Sequence, residues 1–139
     1  MPAEPKTRPT DASVPDFIAA VENPRRRADA EAINALMTEV SGEPAVMWGP
    51  SIVGYGRYRG PIGDWPIIGF SPRKANLVLY VWRDFDGADA LLARLGKHKA
   101  SVGCLYVNRL DDLDAAVLRE LAERSVASMR DRYPANGAA

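Results

Sequence analysis

Leu77-Val78-Leu79-Tyr80-Val81-Trp82 is apolar or aromatic at every position. Successive side chains of a strand point to opposite faces, so such a run is a strand covered on both sides, central in its sheet. Three more short apolar or aromatic runs precede it, at 45–48, 52–58 and 66–71, and the last of the four extends over 76–82. Gly49-Pro50, Gly60-Pro61-Ile62-Gly63-Asp64 and Ser71-Pro72-Arg73-Lys74-Ala75 separate them. These intervals hold turn residues and are too short for a helical crossover, which predicts antiparallel neighbours.

Helical patterns flank the strands. Ser13 is placed to cap a first helix with Asp16 three residues on, and Val14, Phe17, Ile18 and Val21 share one face. Asn23-Pro24 restarts the chain into a helix with Ile33, Leu36, Met37 and Val40 on one stripe, ended by Gly42. Beyond the strands, Asp86 is expected to cap a short helix with Leu91, Leu92 and Leu95 inward and Gly96 as its stop. Lys97-His98-Lys99 reads as a polar turn, 103–107 as a last strand, and Asp112 or Asp114 as the start of a final helix. That helix would bury Val117, Leu118, Leu121, Ala122, Ser125 and Met129. The predicted order is ααββββαβα: a two-layer α+β domain over 13–133, with a largely antiparallel sheet of about five strands packed by helices. Residues 1–12 and 134–139 are expected to be disordered tails.

A chain of 139 residues suits one domain, and its 47% hydrophobic and 26% charged residues are ordinary for a globular protein. Lys plus Arg equals Asp plus Glu at 18 each, so no overall field favours nucleic acid or a membrane surface. The strand region is locally basic, with Arg57, Arg59, Arg73, Lys74 and Arg83 against Glu43 and Asp64. Cys104 is the single cysteine, which excludes an internal disulfide and a cysteine-rich metal site. No secretory pattern opens the sequence, and the run at 77–82 is far short of the roughly 20 residues that span a bilayer. A cytoplasmic location with no nucleic-acid or membrane partner is the expectation; a homodimer is allowed.

Several blocks carry a family likeness. Met47-Trp48-Gly49-Pro50-Ser51-Ile52-Val53-Gly54-Tyr55-Gly56 resembles the opening motif of the YdhG-like family of bacterial domains of unknown function. The stretch from Trp65 to Tyr80, with Gly69-Phe70-Ser71-Pro72-Arg73-Lys74 within it, resembles the family's central motif. Leu95-Gly96-Lys97-His98-Lys99 followed by Cys104-Leu105-Tyr106-Val107 resembles the third. The likeness runs from about Val14 to Arg130 and implies a compact α/β architecture with no assigned activity. It also points to a distant frataxin-like branch of intracellular iron chaperones, which makes iron the one implied cofactor. Two departures stand out: the 58–64 segment is shorter than in relatives, and Val102 occupies a position where they carry a lysine.

The residues themselves offer three candidate sites. Ser71, Arg73 and Lys74 in one turn and Lys97, His98 and Lys99 in another can hold a phosphate or carboxylate by charge-assisted hydrogen bonds. The turns beside Asn76 and Gly103 would share one end of the sheet if their strands ran parallel and adjacent. Solvated basic turns need no ligand, however. Trp48, Tyr55, Trp65, Phe70 and Tyr80 can line an aromatic pocket or pack as ordinary sheet pairs. Asp84 and Asp86 are metal candidates, although a carboxylate near a helix start already offsets the dipole. His98 is the single histidine, and neither a nucleophile with its base nor a nucleotide loop stands out, so catalysis is not expected. A non-catalytic module binding a small anion or a protein partner fits these features, with a frataxin-like iron chaperone as the alternative.

Overall fold

Two capped helices lead into the sheet, as their signals require. In the computed structural model, which describes residues 9–60, 63–101 and 103–133, α1 spans Val14–Ala19 and α2 spans Pro24–Ser41. The Ser13 hydroxyl accepts from the Asp16 N–H and the Asn23 side chain from the Arg26 N–H. Gly42 ends α2 in the left-handed conformation, with φ 67°. Pro9 and Thr10, expected to belong to a free tail, instead lie along the first strand, where the Thr10 N–H donates to the Met47 carbonyl. The tails expected at 1–8 and 134–139 lie outside the described residues.

The strands are β1 (Ala45–Trp48), β2 (Ile52–Tyr55), β3 (Tyr58–Gly60), β4 (Gly63–Trp65), β5 (Ile68–Pro72) and β6 (Leu77–Tyr80). Helix α3 (Ala88–Leu95), β7 (Lys99–Ser101), β8 (Cys104–Val107), a 3-10 turn (Leu110–Asp112) and α4 (Ala115–Arg132) complete the chain. Six strands form one antiparallel sheet in the order β1-β2-β5-β6-β8-β7, while β3 and β4 pair as a separate hairpin. The fold is therefore α+β, as predicted, and β6 is central between β5 and β8.

Three local features differ from expectation. The run at 52–58 breaks at Gly56, whose φ of 67° turns the chain out of β2 and into the hairpin. Lys99 is not in a turn but opens an edge strand of three exposed residues, too short and too little apolar to give a strand signal. Gly87, not Asp86, occupies the cap position of α3, and its φ of 90° excludes an ordinary aspartate cap there.

The register sorts the sheet into two faces. Met47, Val53, Phe70, Leu79 and Leu105 are successive cross-strand partners on one face, and they join the helix stripes in one hydrophobic cluster. On this face the Tyr55 ring stacks near Phe70, and its hydroxyl donates to Asn34 Oδ1 at 2.5 Å. Burial pushes the Tyr55 phenol well above its usual value. The other face carries the row Val46, Gly54, Gly69, Tyr80, Cys104 and Ser101. Two adjacent glycines leave a trough in that row. A Cβ on Gly54 would lie 2.5 Å from Trp48 Cδ1 and 2.6 Å from Pro66 Cβ, so the indole and the proline fill the space. Gly69 is less forgiving, because its Cβ would meet the Val53 backbone carbonyl at 2.7 Å, an atom that cannot turn aside as a side chain can.

Gly69→Ala therefore forces strand backbones apart, and it is expected to destabilise the fold by about 1–3 kcal/mol. Urea unfolding measures this; an unchanged midpoint would contradict the packing. Alkaline pH gives a second expectation. Tyr55, Tyr58 and Tyr80 all have phenols raised by burial, so above about pH 10 the folded state keeps protons that the unfolded chain releases. Stability should fall as pH rises from there. Tyr55→Phe should make the decline shallower, which parallel urea titrations at several pH values would show.

Candidate functional site

The five aromatic residues proposed as one pocket divide between the two faces of the sheet. Tyr55 and Phe70 belong to the helix-covered core, both with 0% exposure. Trp48, Trp65 and Tyr80 form a chain on the other face, with Trp48–Trp65 and Trp65–Tyr80 centroids 6.2 and 6.1 Å apart, both edge to face. The period-2 alternation of strands makes one enclosure of all five impossible: Tyr55 and Phe70 face oppositely to Trp48 and Tyr80. Arg57 lies over the Trp48 ring at 5.7 Å, and the Arg73 guanidinium donates to the Tyr80 hydroxyl at 2.8 Å. Burial raises the Tyr80 phenol, opposed by Arg73.

The acidic candidates stay apart from any ligand set. Asp84 approaches Arg132 at 4.0 Å with its side chain 80% exposed, and Asp86 is exposed. Among the described residues, no three His, Cys, Asp or Glu side chains converge as a metal site would require. Asp114 caps α4, its Oδ1 accepting from the Ala116 and Val117 amides. Cys104 is half-buried on the aromatic face rather than packed among the helices.

The basic turns are arranged differently from the expectation. β6 and β8 are neighbours but antiparallel, Leu77 opposite Val107 and Tyr80 opposite Cys104. The turns beside Asn76 and Gly103 are consequently at opposite ends of the sheet. The additional strand β7 returns Lys97, His98 and Lys99 to the Asn76 end, because β6 and β7 both run against β8. One strand still intervenes, which sets β7 about 10 Å from β6. His98 Nδ1 donates to the Gly96 carbonyl at 2.7 Å, a carbonyl being able only to accept.

The backbone of the Arg73–Lys74 turn meets instead the cations at the start of α2, while the Arg73 guanidinium itself is turned to Tyr80 on the other face of the sheet. The Arg26 guanidinium donates to the Arg73 carbonyl at 2.7 Å and to the Asn108 carbonyl at 3.3 Å. It thereby ties α2 to the β5–β6 turn and to the segment after β8. Two adjoining clefts open round this tie. One, of about 490 Å³, is walled by Phe17, Ala20, Val21 and Pro72 and rimmed by Arg26, Arg73, Lys74 and Glu22. The other, of about 470 Å³, is lined by Asn23, Pro24, Arg25, Arg26, Asn108 and Arg109 and by no carboxylate. Both volumes fall within the range of small-molecule sites, about 300–1,000 Å³.

Arg25, Arg26, Arg73 and Lys74 make no ion pair with a carboxylate among the described residues, and Arg109 has only Asp112, at 3.9 Å. The Nε of Arg109 is buried without a hydrogen-bond partner among the described residues. Ser71 is not free for a ligand: it is fully buried and donates to the Ser51 carbonyl at 2.6 Å. Sequence reasoning missed Arg25, Arg26 and Arg109. A signal existed in Pro24-Arg25-Arg26-Arg27, a first helical turn with three arginines and no acid, the reverse of what the helix dipole favours. A third and larger cleft, of about 670 Å³, lies at the β1 edge among Pro44, Val46, Trp48, Ile67 and Tyr133, away from this basic cluster.

No family model, curated protein or solved structure matches this chain.

Arg26→Ala removes both carbonyl ties and is expected to cost about 1–2 kcal/mol. The Arg73 amide, which donates to the Asn76 carbonyl inside the turn, should then exchange faster with solvent. Hydrogen exchange by NMR reads this directly; unchanged protection at Arg73 would mean that the tie does not hold the turn.

Proposed function

We propose that this protein is a non-catalytic binding module for a small anion, held at the start of α2 and the β5–β6 turn. The supporting observation is the convergence of Arg25, Arg26, Lys74 and Arg109 from three segments onto two concave clefts, one of them lined by no carboxylate, with the Arg73 backbone as part of the wall. Like charges gathered this closely repel one another, and a bound anion offsets that cost. Guanidinium groups suit phosphate and carboxylate because their fixed fork of donors matches two oxygens at once. Arg26 spends two N–H groups on backbone carbonyls and keeps three of its five for a ligand. Membership of the YdhG-like family is proposed from the sequence blocks alone and does not choose the ligand. Iron handling, implied by that likeness, would rest on Asp84 and Asp86 without a third described acid beside them.

Arg25 and Lys74 are exposed and make no hydrogen bond through their side chains among the described residues, so substituting them leaves the fold intact. Pyrophosphate titration followed by amide shifts is expected to saturate in the wild type. Arg25→Gln with Lys74→Gln should weaken it by about tenfold or more, since each lost charge-assisted bond is worth roughly 1.5–3 kcal/mol at most. Lys97→Gln with Lys99→Gln, across β8, should change affinity by no more than about twofold at 0.1 M salt, where charges 10 Å apart are largely screened. Absence of saturable shifts in the wild type, or equal loss in both double variants, would overturn the assignment.

A further inference from the structure

We infer that the anion is a phosphate monoester carrying an aromatic or aliphatic body, a proposal that rests on the anion-binding function above and gives the ligand its second half. The two clefts share Asn23 and Arg26 and are therefore one continuous bipartite surface. Their walls differ in chemistry. The cleft of Arg25, Arg26 and Arg109 offers guanidinium groups and two asparagines, with Pro24 its one apolar residue. Asn23 uses its side-chain oxygen on the Arg26 amide, which leaves its amide nitrogen as a further donor. The neighbouring cleft offers the half-buried faces of Phe17, Val21 and Pro72 with Ala20 beside them.

Glu22 fixes the orientation. It lines the apolar cleft, where it partly offsets Arg26 and Lys74, and is absent from the other, so a dianionic head group is drawn more strongly to the cleft of Arg25, Arg26 and Arg109. A free inorganic phosphate would use only half of this surface. An ester with a ring or short chain fills both halves, its phosphate against Arg25, Arg26 and Arg109 and its body against Phe17 and Val21. Burial of one ring face contributes roughly a tenfold gain in affinity, since some 55 Å² of apolar area removed from water is worth about 1.4 kcal/mol.

Phenyl phosphate, inorganic phosphate and benzyl alcohol titrated into the full chain at fixed salt test this. Phenyl phosphate is expected to bind about tenfold tighter than inorganic phosphate and to shift the amides of Ala20 and Val21 together with those of Arg25 and Asn108. Phe17→Ala should abolish the advantage. Because Phe17 also packs against the core, the exposed Ala20→Gln serves as a second variant: it obstructs the apolar cleft without adding charge and should bring the two phosphates to parity. Arg25→Gln should weaken both. Equal affinity of the two phosphates for the wild type, or shifts confined to Arg25 and Asn108, would overturn the ester and leave the anion site standing. Failure of both to bind would remove the two together.

Discussion

Strand β6 has to be covered on both faces, and the rest of the fold follows from how that is done. Leu77 and Leu79 meet the helices, in the single cluster that also holds Ile33, Met37, Leu118 and Leu121. Val78 faces the other way and is still only 1% exposed, although it lies outside that cluster. Its row carries Ser71 on one side and Tyr106 on the other, and the long side chain of Arg73 crosses to Tyr80 close by. The second face is thus covered by rings and an arginine stem rather than by helices, a use of amphipathic side chains familiar where a polar tip must stay wet. The β3–β4 hairpin adds Trp65 to this cover, and the Gly54–Gly69 trough makes room for it by leaving Trp48 and Pro66 flush with the sheet.

Much of this was legible because the burial is strong and local. A six-residue apolar run has few ways to be satisfied, and caps such as Ser13, Asn23 and Asp114 act within three residues of themselves. Those predictions held. What escaped was set by pairing rather than composition. β7 has three exposed residues and forms because β8 offers a free edge; nothing in Lys99-Ala100-Ser101 announces it. With β7 leading into β8 as a hairpin, β8 runs antiparallel to β6, and the turns beside Asn76 and Gly103 separate to opposite ends. The aromatic set failed for a related reason. Nearness in sequence gathered Trp48, Tyr55, Trp65, Phe70 and Tyr80 into one group, but residue parity along each strand assigns them to two faces.

The basic cluster was legible in one of its segments and not in its full membership. Arg73 and Lys74 could be picked out because they occupy a turn between two confident strands. Their partners come from segments nearly 50 and some 35 residues away in the chain, Arg25 and Arg26 upstream and Arg109 downstream. The tie that gathers them is an arginine donating to two main-chain carbonyls, a contact with no sequence pattern of its own. Val102, where the sequence resemblance led to the expectation of a lysine, lies outside the described residues, and Gly103 beside it is at the far end of β8 from Arg73. An anion site at the Asn76 end therefore does not depend on that lysine.

Arg26 also bears on the proposal that the cluster holds a ligand rather than forming a stabilising network. Were Arg25, Arg26 and Arg27 there for stability, carboxylates in the first turn of α2 would serve better, as Asp16 does in α1 and Asp89 in α3. Asp29 lies one turn further on, but it is engaged with the Leu110 amide at 3.1 Å, holding the chain after β8 in place. Arg27 is likewise committed, to the Val21 carbonyl at 2.7 Å. The backbone ties of Arg26, Arg27 and Asp29 thus build the walls of the clefts, and Arg25 and Lys74 are left facing solvent with their charge unspent. Structural work and available charge fall on different residues, so the proposed binding can be tested without loss of the fold.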